Sequence, residues 1–261
     1  EVVKELLEID RIDVNKHETH EYDTPLLASI STRKIEIAKL LIKHPKTDLN
    51  KKNTNNESAL HMAIENNLED IIKLLINDER FDPVESELDY SFCLADYDIS
   101  KILISSPFID VNHVFDSDKT ALIHSVEMND TDKIDLIINH PSFDKDKSDV
   151  VGAIFIAAEK NNIDVFRKLI QLINNDFDVS YKNNDNLLCV ASRNLSGEIV
   201  NEIFSNPNFS PKSNQICEAF VQSYSKWRPG YSMNGWSGNE HGFRNQLRNM
   251  PRNQWRNAAF R

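Results

Sequence analysis

Apolar residues along this chain come in pairs of short stripes. In "SALHMAIENNLEDIIKLLI", residues 58–76, Leu60, Ala63 and Ile64 form one stripe at helical spacing, and Ile71, Ile72, Leu74 and Leu75 form a second. Neither is long enough to stand alone, since isolated helices below about 12–15 residues are marginal in water. Asn66 and Asn67 lie at the break, and Asn tolerates the left-handed conformation that a tight helix–helix turn requires. The segment therefore predicts a helix–turn–helix whose apolar faces must be covered by neighbours.

Those neighbours are copies of the same pattern. "TPLLASISTRKIEIAKLLI" begins at Thr24, "TALIHSVEMNDTDKIDLII" at Thr120, "GAIFIAAEKNNIDVFRKLI" at Gly152 and "NLLCVASRNLSGEIVNEIF" at Asn186. A second marker runs in step: Asp48, Asp82, Asp110, Asp144 and Asp178 are separated by 34, 28, 34 and 34 residues, and Asp13 precedes Asp48 by 35. Pro45, Pro107, Pro141 and Pro207 stop the second helix of their units. Polar stretches such as "NKKNTNNES" then make an exposed turn back to the next first helix. Only stacking buries the two faces of each unit, so the chain predicts an array.

A helix–turn–helix with an extended finger at this period resembles the ankyrin repeat. The likeness rests on "TPLL" (24–27), "SALHMA" (58–63), "ALIHS" (121–125) and the Asp-x-Asn ends at 48 and 110, and it runs from residue 1 to about 210. The resemblance implies an all-α, ankyrin-like helix-turn-helix solenoid of about six units over residues 1–225, with an irregular basic tail at 226–261. It also implies that His61 holds its turn by hydrogen bonding. Leu27, Ile123, Phe155 and Cys189 replace that His elsewhere, and Asn67, Asn129 and Asn161 replace the family's turn glycine. The unit from Ser91 to Lys119 is short, with the loss expected in its first helix, "SFCLADYDIS", and a shifted surface over 84–105.

The chain opens inside a second helix, "VVKELLEI", which leaves Val3 and Leu6 on an uncovered face and suggests a further repeat upstream. After Pro211, "SNQICEAFVQSYSKW" reads as a closing helix with Ser213 as its cap.

Charge divides the chain in two. Residues 1–225 hold 23 basic and 40 acidic side chains, a net of −17, whereas 226–261 hold seven basic side chains and Glu240, a net of +6. The acidic array argues against coating nucleic acid or an anionic membrane. No apolar run approaches a membrane span and no secretory signal is visible. The odd, scattered Cys93, Cys189 and Cys217 favour a reducing compartment, cytoplasmic or nuclear.

Candidate chemistry is sparse. "HETH" at His17–His20 lacks the four-residue His spacing of a zinc protease. His44 and His140 end helices, where positive charge suits the dipole. The cysteines sit among apolar neighbours, and no phosphate-cradling Gly-rich loop occurs in the repeats. No enzyme activity, metal or cofactor is expected.

What repeats offer is a surface of fingers and first helices. Tyr22, Tyr90, Phe115 and Tyr181 fall at or near the fingers, where they either anchor a partner or pack onto the next repeat. In the tail, Arg244, Arg248, Arg252 and Arg256 recur every four residues, interleaved with Phe243, Leu247, Met250 and Trp255 and preceded by Trp227 and Trp236. Such a segment suits docking on protein, including the acidic array, ahead of RNA or single-stranded DNA. The leading expectation is a non-enzymatic scaffold for a partner with a basic or mixed surface. The alternatives are an adaptor whose tail binds nucleic acid, and repeats that regulate an enzyme domain elsewhere.

Overall fold

The computed structural model of the chain describes residues 2–16, 24–115, 119–181, 185–206 and 209. Helix α1 (Val2–Leu7) is followed by α2 (Pro25–Ser31), α3 (Ile35–Lys43), α4 (Ala59–Glu65), α5 (Glu69–Ile76), α6 (Leu88–Leu94), α7 (Tyr97–Leu103), α8 (Ala121–Met128), α9 (Thr131–Ile138), α10 (Val150–Glu159), α11 (Ile163–Leu172), α12 (Leu187–Arg193) and α13 (Gly197–Ser205). The strands among the described residues are β1 (Ser180–Tyr181) and β2 (Asp185–Asn186), an antiparallel pair at the base of one finger. The fold is thus all-α and built of helix pairs.

Two compact units are present, one within 1–125 and 132–144, the other within 126–131 and from 145 onward. In the first unit α2 packs on α3 and α4, α4 on α5 and α6, and α5 on α3 and α7. In the second, α10 packs on α11 and α12, and α13 on α11 and α12. First helices therefore stack on first helices and second on second, which covers the two stripes of each repeat. Leu26, Ile30, Leu60, Ile71, Leu75 and Phe92 are buried in the first unit, and Ile154, Phe166 and Leu169 in the second. Each such side chain contributes about 1.5–3 kcal/mol relative to exposure. Helix α1 has no buried residue; of the two residues expected on an uncovered face, Leu6 is exposed and Val3 is half-buried.

Caps set the helix starts. The Thr24, Ser58 and Thr120 hydroxyls accept from the N–H groups of Leu27, His61 and Ile123, and the Asn186 side chain accepts from Cys189 N–H. At the turns, Asn67, Asn129 and Asn161 have φ of 53°, 60° and 54°. Arg33 and Leu195 take the same conformation at φ 55° and 58°, without the side chain that favours it.

The Asp-x-Asn marker is an inter-repeat clamp. Asp48 accepts from Asn50 N–H in an Asx turn; Asn50 then donates to Arg80 carbonyl at 2.8 Å and accepts from Asp82 N–H at 2.8 Å. Asn15 bridges Lys46 carbonyl and Asp48 N–H in the same way, and Asn112 bridges Ser142 carbonyl and Asp144 N–H. After Asp82 the marker position is Val84, and Asp89 accepts from Asp110 N–H instead.

The short unit loses residues elsewhere than expected. Helix α6 has seven residues, as do α2 and α4. The finger contracts instead: the cap of α6 is Glu87, five positions past Asp82, whereas Ser58 lies ten past Asp48. The α6–α7 connection also shrinks to Ala95 and Asp96, against Asn66–Leu68 between α4 and α5. The repeat starting at α10 has a second contracted finger. Its cap is Asp149, five positions past Asp144, and ten-residue α10 and α11 restore the period. Both short fingers close with a left-handed residue, Glu87 at φ 52° and Asp149 at φ 51°.

Candidate functional site

Tyr90 and Phe115 come together from two repeats. Tyr90 projects from α6 and is 49 % exposed, and its ring meets Phe115 edge-on at 6.0 Å and 67°. Phe115 lies where the next finger leaves the helical layer, half-buried, with the His113 ring 4.9 Å away. The neighbouring Val114 forms a β-bridge with Thr120, fixing the finger's base, and is 51 % exposed. Leu94, one turn beyond Tyr90 on α6, is 56 % exposed. Tyr90 and Phe115 thus form a half-exposed aromatic ledge where α6 meets the next finger.

Its electrostatics are acidic. Asp89, beside Tyr90, lies 3.5 Å from the His113 ring. Burial holds the Asp89 carboxyl above its ordinary range, against the bond from Asp110 N–H, which lowers it. Glu85 and Glu87 are exposed at the start of α6, and Glu87 reaches Lys52 at 2.9 Å.

Tyr181 has a different setting. Its hydroxyl donates to Asp149 at 2.5 Å and its ring lies 5.5 Å from Phe155 at 36°. The half-buried side chain thus packs on the preceding repeat. A Cβ at Gly152 would lie 2.3 Å from the Asp149 carboxylate and 2.6 Å from the Tyr181 hydroxyl, so these side-chain ends would have to shift. Tyr22, Trp227, Trp236, Arg244, Arg248, Arg252, Trp255 and Arg256 lie outside the described residues, as do His17–His20, Cys217 and the expected closing helix.

Three histidine expectations change. The His61 ring is not seen holding the turn; it lies 3.4 Å from Glu65, and Asn53 closes the finger by accepting from Asn55 and Glu57 N–H. The Nδ1 atoms of His44 and His140 accept from Lys46 and Ser142 N–H, so these rings cap the Pro turn as acceptors. Ser106 does the same for Phe108 N–H.

Two basic side chains missed by sequence reasoning hold the layers. Lys133, from α9, is 4 % exposed and donates to the Cys93 and Ala95 carbonyls at 2.9 and 2.6 Å, with the Phe92 ring 6.0 Å away. Ala95 replaces the left-handed Asn of other turns, so the end of α6 needs a side-chain donor. Ser100 supplies another to Phe92 and Ala95 carbonyls. Arg80 grips the end of α3 through the Ile42, His44 and Thr47 carbonyls, held by Asp78. Neither residue belongs to the repeat consensus, so no periodic signal points to it. Cys93 and Cys189 are buried, and burial pushes the Cys93 thiol up to about 12, which leaves it inert at neutral pH.

Residues 1–86 match the family model of ankyrin repeats, spanning three copies. They contain α1 to α5, so this stretch is built of ankyrin repeats, and helix pairs of the same construction continue to α13. Ankyrin repeats are in general protein–protein interaction modules. No curated protein matches the chain. No helix among the described residues is long and apolar enough to cross a membrane.

Proposed function

We propose that the chain is a non-enzymatic scaffold that binds a partner protein on its finger and first-helix side, centred on Tyr90 and Phe115. The carrying observation is the half-exposed aromatic pair, contributed by two repeats and flanked by acidic side chains. An aromatic anchor with two rotatable bonds gives large contact area at low entropic cost. The acidic surround suits a partner with basic or mixed charge, whose association weakens as salt rises. Tyr181, spent on Asp149 and Phe155, is the weaker anchor of the two fingers.

The tail, residues 226–261, carries +6 beside an acidic array, which favours docking on protein through Trp227, Trp236 and Trp255 with the four arginines paired to carboxylates. Partner capture with the parent, the Tyr90→Ala/Phe115→Ala double variant and a chain ending at residue 225 tests both parts. Loss of capture in the double variant supports the ledge; unchanged capture refutes it. Binding of the parent to single-stranded RNA at physiological salt, abolished by truncation, would replace tail docking with nucleic-acid binding.

A further inference from the structure

Beside the finger that precedes α4, three metal-ligand side chains converge from two elements. Glu57 stands immediately before the cap Ser58, His61 lies in the first turn of α4, and Glu65 follows His61 by one turn. Positions 57, 61 and 65 are four apart, which brings their side chains to one side of the helix and its entry. One carboxylate oxygen from each Glu and one imidazole nitrogen lie within 4.8 Å of one another. His61 Nε2 and Glu65 Oε1 are 3.4 Å apart. Ligands at about 2.0–2.2 Å on a tetrahedral zinc stand at nearly that separation along one edge.

Glu57 is also held in place. Asn53 donates to its Oε2 at 2.7 Å, and Asn53 is itself fixed by accepting from Asn55 and Glu57 N–H. This leaves the other carboxylate oxygen for a ligand, with the bonded one oriented by an outer partner, as metal-ligating carboxylates usually are. Glu57 and His61 are half-buried and Glu65 is exposed, so an ion reaches them from solvent and water completes its shell.

We propose that Glu57, His61 and Glu65 form a three-ligand site for a borderline divalent cation of the zinc class. An imidazole with two carboxylates suits zinc and its neighbours, whereas calcium and magnesium take oxygen ligands. The bound ion ties the finger to α4, the role that the His61 imidazole itself does not fill.

Isothermal titration of the full chain with zinc chloride, and with cobalt chloride read by its visible absorption, tests the site. Glu57→Gln, His61→Gln and Glu65→Gln are each expected to weaken binding about tenfold or more, and Asn53→Ala about tenfold through loss of orientation. His17→Gln/His20→Gln, which removes two histidines three residues apart in the sequence, is expected to leave this binding unchanged. Circular dichroism of each variant separates lost binding from lost fold. The proposal is overturned if the parent binds neither ion, if His61→Gln binds as the parent does, or if the His17/His20 variant alone abolishes binding.

Discussion

Replacing Lys133 by Met tests how the shortened repeat is held. Met nearly fills the same volume but donates nothing. The Cys93 carbonyl loses the donor at 2.9 Å, and the Ala95 carbonyl keeps only a 3.3 Å bond from Ser100. An orphaned buried carbonyl costs about 1–3 kcal/mol, and a lost bond from a charged donor about 1.5–3 kcal/mol. Relief of the buried ammonium's desolvation works the other way and offsets part of this. The net expectation is a destabilisation of about 2 kcal/mol. Urea unfolding should show a lower midpoint at unchanged slope. Hydrogen exchange should locate the loss at the end of α6, first at the amide of Ala95, which bonds Ser91 carbonyl. Lys43→Met, at an exposed position of α3, is the control and should change stability by less than about 0.5 kcal/mol. A Lys133→Met protein as stable as the parent, or more so, would refute the capping role and show that the cation's burial outweighs its two bonds.

Gly152→Ala should cost about 2 kcal/mol in urea unfolding, because the added methyl displaces the Asp149 cap and Tyr181, and Tyr181→Phe should recover part of it by removing one clash. Leu195→Gly should raise stability by about 0.5–1 kcal/mol, since Leu195 is exposed and left-handed and glycine takes that conformation without steric cost; a loss would refute the strain. Asn50→Ala should cost about 1–2 kcal/mol by opening the clamp to Arg80 and Asp82. The Arg80 side chain, against some desolvation, holds the Asp78 carboxyl below its ordinary 3.8, so its contribution is complete above that value and lost as pH falls through the lower folded value. An Asp78→Asn protein should therefore be less stable than the parent at neutral pH, with the gap closing in acid.

The repeat itself was legible because each of its devices is local and recurs. Thr24, Ser58 and Asn186 cap, Asn67 and Asn161 turn, and Asn50 and Asn112 clamp, each with chemistry that belongs to its residue type. Arg33 and Leu195 escaped notice because the backbone turn is imposed there by the flanking helices, against propensity. Lys133 and Arg80 escaped because their bonds reach back 38 or more and 33 or more residues, to carbonyls that no side-chain pattern marks. The contraction of the short unit was legible as a missing length but not as a position. Helix α6 holds its seven residues because its face is buried, while finger residues in solvent are removed with little penalty. Of the candidate contact residues, Tyr90 and Phe115 looked like Tyr181 in sequence. The neighbouring Gly152, Asp149 and Phe155 separate them, by giving Tyr181 a seat on its own array.

A photo-crosslinking residue placed at Tyr90 measures the docking surface most directly. Bound partner should crosslink from Tyr90 and not from Lys43 on α3, and the yield should fall as salt rises. Equal yields from both positions, or crosslinking from Lys43 alone, would contradict the finger and first-helix assignment.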